Sequence, residues 1–103
     1  MKRFIRIWKF QVNPGKEVEF ERAYGPSGDW VQLFCKNGGF LKTELHRDLT
    51  DHHCYITLDY FKSKADFEAL MKQCKDEYAA MDRRYTALTS SEENIGIFEP
   101  ILL

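Results

Sequence analysis

The chain has 103 residues, and its 15 Lys and Arg face 16 Asp and Glu, so it lacks the basic surplus with which nucleic-acid binders neutralise phosphates. That length predicts one domain, residues 1–103. No run approaches the ~18 apolar residues of a membrane span, and the stretch after Met1-Lys2-Arg3 is broken by Arg6 and Lys9, so no secretory signal is expected.

"FIRIWKFQV", Phe4–Val12, is β-branched and aromatic and reads as a strand. Phe4, Trp8, Phe10 and Val12 share one face, interrupted by Arg6. Ile5, Ile7, Lys9 and Gln11 share the other, so both faces are expected to be at least partly covered. Asn13 is a candidate helix cap with Pro14 in the first turn, and a helix is expected over Val18–Tyr24. "GPSGD" breaks it, and Asp29 can cap a short second helix in which Trp30, Leu33 and Phe34 lie on one face. After the turn "KNGG", Phe40–Asp48 and His53–Phe61 read as strands two and three. Ser63 to Asp66 is a capping-box pattern. The apolar spacing from Phe67 to Tyr85 predicts a long helix with a kink or break after Cys74. Ile95–Leu103 reads as a last strand or extended tail, with Pro100 marking an edge or an end. The order is β-α-β-β-α-β. It predicts an α+β, ferredoxin-like domain with a four-stranded antiparallel sheet and its helices on one face.

The segment "HRDLTDHHCYITL" holds all three histidines and one of the three cysteines. With Leu49–His52 as the loop, strands two and three pair Asp48 with His53, His46 with Tyr55, Lys42 with Asp59 and Leu41 with Tyr60. Leu41, Thr43, Leu45, Cys54, Ile56, Leu58 and Tyr60 would then face the helices, while Phe40, His46, Tyr55, Asp59 and Phe61 would lie on the open face. His53 and Cys54, as strand neighbours, point to opposite faces and cannot converge on one ion, so no metal site is expected. The cysteines, odd in number and without a CxxC pair, are expected to be reduced thiols in a cytoplasmic protein. Aromatic residues make up 15% of the chain, more than a small core needs. A mixed, partly aromatic open face therefore predicts a homodimer through the sheet faces.

Together these segments resemble the antibiotic biosynthesis monooxygenase family of dimeric α+β barrels. The resemblance rests on the Pro-Gly after the first strand, the "GDW" opening the second half of the first helical segment, "GFLKTELHRD", "YITLD" and the "FKS" helix start, and it spans roughly Ile5 to Phe98. It implies a dimer that joins two sheets into a barrel. It also implies, in the members with known activity, oxygenation of aromatic polyketides or quinols by dioxygen without metal or flavin. Such chemistry asks the protein to deprotonate the substrate, keep water out and stabilise the anion. Candidate pocket residues are Arg6, Trp8, Tyr24, Trp30 and Tyr78, and the titratable pair expected to serve a chamber is His46 with Tyr55. The related haem-degrading branch fits poorly, because Phe67 through Leu88 holds no histidine to ligate iron. The alternatives are a non-catalytic dimeric small-molecule-binding or stress-response module on the same fold and an RNA-recognition-like sheet platform, the latter opposed by the acidic balance.

Overall fold

A computed structural model describes residues 3–101. Strand β1 (Phe4–Val12) is followed by helices α1 (Glu17–Tyr24) and α2 (Asp29–Phe34). The hairpin β2 (Phe40–Arg47) and β3 (Cys54–Phe61) comes next, then α3 (Lys64–Gln73), α4 (Lys75–Tyr85), a short 3-10 turn Thr86–Leu88, and β4 (Thr89–Phe98). The strands form one four-stranded sheet in the order β2-β3-β1-β4, with every neighbouring pair antiparallel. This is the expected ferredoxin-like topology with each helical segment divided in two. No helix among the described residues is long and apolar enough to cross a membrane. The expected tail runs on to Leu103, but positions 102 and 103 lie outside the described residues.

Local chemistry sets the element ends. Ser63 caps α3, its hydroxyl accepting the Asp66 N–H at 3.1 Å. The long helix breaks at Cys74, where φ −109 and ψ 22 leave the helical region. The strand β4 ends at Phe98, ahead of Pro100. At the first helix the cap expectation is overturned: α1 starts at Glu17, not in the turn after Asn13. Gly15 adopts φ +87, a left-handed conformation that no helix start can contain, and the Glu17 carboxylate turns back to accept the Gly15 N–H at 2.9 Å. Asp29 is likewise the first residue of α2 rather than its cap, and its carboxylate accepts the Tyr85 hydroxyl proton.

The hairpin departs from the expected register by one residue. Phe40 pairs with Phe61, but Leu41 is skipped, and from there Lys42 pairs with Tyr60, Thr43 with Asp59, His46 with Ile56 and Arg47 with Tyr55. At the far end the Asp48 N–H donates to the Cys54 carbonyl, which lengthens the loop to include His53. The Asp48 carboxylate holds that loop, accepting the N–H groups of Thr50 at 2.7 Å and Asp51 at 3.0 Å. Because side chains alternate, the shift exchanges the two faces of β3 while those of β2 beyond Leu41 stay as expected. Tyr55, Thr57, Asp59 and Phe61 are buried under the helices with Thr43, while Ile56, Leu58 and Tyr60 lie on the open side with Lys42, Glu44 and His46.

The core lies between the sheet and the helices. Phe4, Phe10 and Val12 from β1 meet Phe20, Ala23 and Tyr24 of α1, Trp30, Leu33 and Phe34 of α2, and Leu70 and Cys74. Rings dominate it: Phe20 stacks on Tyr24 at 4.3 Å between centroids, and Phe61 meets Phe67 edge-on at 5.2 Å. Phe20, Phe61 and Leu70 are wholly buried, each contributing on the order of 1.5–3 kcal/mol from the surface removed from water. Cys54 is buried as expected, yet on the open-face parity and apart from that cluster.

Candidate functional site

Sheet and helices do not close on each other completely. They leave a cavity of about 320 Å³, near the small end of the ~300–1,000 Å³ range of ligand pockets. Its floor is the helix-facing side of the sheet, where Arg6 of β1, Thr43 of β2 and Thr57 and Asp59 of β3 lie side by side. Its walls are aromatic: Trp8, Phe10, Tyr24, Trp30, Phe34 and Tyr78. Asp82 on α4 and Glu92 on β4 complete the lining.

The floor holds two buried charges. Arg6 is 9% exposed and Asp59 6%, and they are direct cross-strand partners in the β1–β3 ladder. The Arg6 guanidinium donates to the Tyr78 hydroxyl at 3.0 Å and lies 5.0 Å from the Trp8 ring centre and 5.1 Å from that of Phe67, so ring faces replace part of its water. The Thr43 hydroxyl donates to Asp59 Oδ1 at 2.6 Å. Burial pushes the Asp59 carboxyl up to about 6, against the opposing pull of the Thr43 hydroxyl and the Arg6 charge. Such a group changes protonation near neutrality, where a general base is most effective. Burial also raises the Tyr24 hydroxyl, helped by the negative charge of Glu92, so Tyr24 serves as a neutral hydroxyl in the wall.

All five pocket residues expected from the sequence, Arg6, Trp8, Tyr24, Trp30 and Tyr78, surround this one cavity. The expected His46–Tyr55 pair does not exist. His46 lies exposed on the open side of the sheet, with Nε2 3.3 Å from a Glu44 carboxylate oxygen. Tyr55 points the other way, packs on Phe20 at 5.0 Å and donates its hydroxyl to Glu21 at 2.6 Å. The shift of register at Leu41 separates them. His53 stays at the hairpin corner, with Nδ1 3.2 Å from Glu17.

Thr43, Thr57 and Asp59 were not among the expected site residues. For Asp59 a signal existed: Arg6 interrupts an otherwise apolar inward face, a buried guanidinium needs a countercharge, and Asp59 is the one acidic residue in β3. Asp82 and Glu92 had none, because only the packing of α4 across the sheet brings them to the same opening.

A family model for antibiotic biosynthesis monooxygenases matches residues 3–81 of the chain. No curated protein matches it in sequence. Among solved structures, SnoaB, a cofactor-independent oxygenase from Streptomyces nogalater, superposes with a TM-score of 0.79 at 17% identity, covering 100% of this chain and 97% of that one. PA3566 from Pseudomonas aeruginosa gives 0.66 at 19% identity, covering 100% and 96%. A conserved protein from Methanosarcina mazei Go1 gives 0.71 at 17% identity, covering 95% and 92%. At these identities the likeness is one of fold.

Proposed function

The chain belongs to the antibiotic biosynthesis monooxygenase family, and from that premise we propose that it oxygenates a small aromatic substrate of polyketide or quinol type with dioxygen and no cofactor. The observation that carries this reading is Asp59: a buried carboxyl on the floor of an aromatic cavity, poised near neutrality beside a buried cation. SnoaB, similar in fold over 97% of its chain, is a cofactor-independent oxygenase.

In this mechanism Asp59 removes an acidic proton from the ring or its keto tautomer. The substrate anion is stabilised by the Arg6 charge and held between Trp8, Trp30 and Tyr78. The anion passes one electron to dioxygen, and the resulting radical and superoxide join in a carbon–oxygen bond. The protonated Asp59 returns its proton to the peroxide. It then takes the remaining hydrogen from the oxygenated carbon as a proton, while the O–O bond breaks. The released hydroxide takes that proton and leaves as water, so a CH₂ becomes a carbonyl and one oxygen atom of O₂ becomes water. All four electrons come from substrate.

Two copies joined through the open sheet faces complete the barrel in this proposal. The functional test is oxygen uptake with a panel of anthrones and hydroquinones, in the wild type and in Asp59→Asn. Wild-type turnover that falls on the order of a hundredfold in the variant supports the reading. Substrate binding without uptake would favour the non-catalytic binding module instead.

A further inference from the structure

Ten of the twelve residues around the cavity are buried or half-buried; Asp82 and Glu92 are the two that are exposed. They therefore mark where the cavity meets solvent. They come from different elements, α4 and β4, so their meeting is a product of the tertiary fold. No Lys or Arg pairs with either carboxylate among the described residues. Arg83, next to Asp82 in the chain, makes no ion pair with it, the Arg84 guanidinium lies over the Tyr85 ring, and Lys9, the cross-strand partner of Glu93, is on the open side of the sheet. Inside, the Arg6 charge is offset by ionised Asp59, so the interior does not draw in an anion. Glu92 is itself pushed above the usual carboxylate range by burial and by Asp82, a sign that the two acids share one field.

We propose that Asp82 and Glu92 form a charge filter at the mouth, so that the cavity admits aromatic rings carrying a protonated amine at their outward end and rejects aromatic carboxylates. This rests on the cavity being the ring-binding site proposed above, but it concerns selection rather than chemistry. A quinol bearing an ammonium group places its ring against Trp8 and Trp30 and its charge between the two acids. The same ring bearing a carboxylate meets them at close range in a partly water-excluded opening.

The test uses three probes with one ring and three charges: hydroquinone, 2,5-dihydroxybenzylamine and 2,5-dihydroxybenzoate. Binding is followed under nitrogen by quenching of tryptophan fluorescence at about pH 8, so no turnover is needed. At low ionic strength the amine should bind at least about tenfold more tightly than the benzoate, with hydroquinone between them, and about 0.5 M salt should erase most of that ratio. In the Asp82→Asn, Glu92→Gln double variant, whose changes are isosteric and exposed, the amine and benzoate affinities should converge to within about twofold of each other, a loss of most of the wild-type difference. A wild-type ratio near one overturns the filter, and so does a ratio that survives in the double variant or in salt. In those cases hydroquinone binding leaves the cavity reading standing. If none of the three rings binds, both proposals fail. If the amine is selected but no ring is oxygenated, the filter stands and the oxygenase reading falls.

Discussion

Asp59 is where stability and chemistry pull against each other. Its carboxyl titrates at about 6 in the folded chain against 3.8 for the free group. Folding therefore favours the protonated form. The stability that Asp59 contributes is fully present below about pH 4 and is lost as pH rises through about 6. Roughly two pKa units correspond to about 2–3 kcal/mol. Asp59→Asn should accordingly melt higher than wild type at pH 8, with the difference vanishing near pH 4, while oxygen uptake collapses. A variant that melts lower at pH 8 would show that the carboxylate is not under strain. The wild-type kcat/KM should rise with pH through about 6 as the base ionises. Arg6 pulls Asp59 down, so Arg6→Met should move that midpoint upward as well as weaken turnover. An unmoved midpoint would mean that the two charges do not interact across the ladder.

At the scale of elements, close approach matters as much as pattern. Gly28 stands between α1 and α2, and a Cβ placed there would lie 2.3 Å from the Arg22 carbonyl oxygen and 2.5 Å from that of Ala23. Backbone cannot yield as a flexible side chain can, so Gly28→Ala should cost on the order of 1–3 kcal/mol, read as a lower denaturation midpoint. Because α2 carries Trp30 and Phe34 into the cavity wall, ring binding should weaken with it. Unchanged stability would mean that the α1–α2 corner opens more easily than this contact implies. The same scale explains what the sequence could tell. Alternation along β1 places Phe4, Arg6, Trp8 and Phe10 under the helices, and spacing along α2 and α4 aims Trp30 and Tyr78 at them, so the aromatic wall was legible. The β2–β3 hairpin was not. Both of its strands carry apolar residues on each face, and its register turns on one skipped residue at Leu41 and on the Asp48 carboxylate gathering the loop amides. A period of two cannot register either event, and the slip puts Asp59 on the opposite side of the sheet from the one that alternation predicts.

At the scale of the whole molecule the open side of the sheet remains unfinished. Ile5, Ile7, Ile56 and Leu58 keep part of their surface open to solvent in the single chain, and Phe98 is 46% exposed beside Ile5. The observed register makes this face more apolar than the expected one, with Ile56 and Leu58 in place of Tyr55 and Phe61. A stable twofold contact buries about 800 Å² on each partner, and a central apolar strip of this kind is the usual heart of such an interface. Leu58 sits at its middle, with Ile7 on one side and Glu44 on the other. Leu58→Lys is therefore a discriminating change. Within one chain the new ammonium has Glu44 as a neighbour, so the fold should persist. Across a twofold axis it would bring cations together in a face that must dry. We expect sedimentation to report a dimer for wild type and a monomer for Leu58→Lys, with hydroquinone binding retained, since the cavity lies on the helix-facing side of the sheet and Leu58 on the opposite one. A variant that stays dimeric would place the interface elsewhere. A monomer that no longer binds the ring would show instead that pairing of the sheets is needed to hold β1 and β3, and with them Arg6 and Asp59, in their working positions.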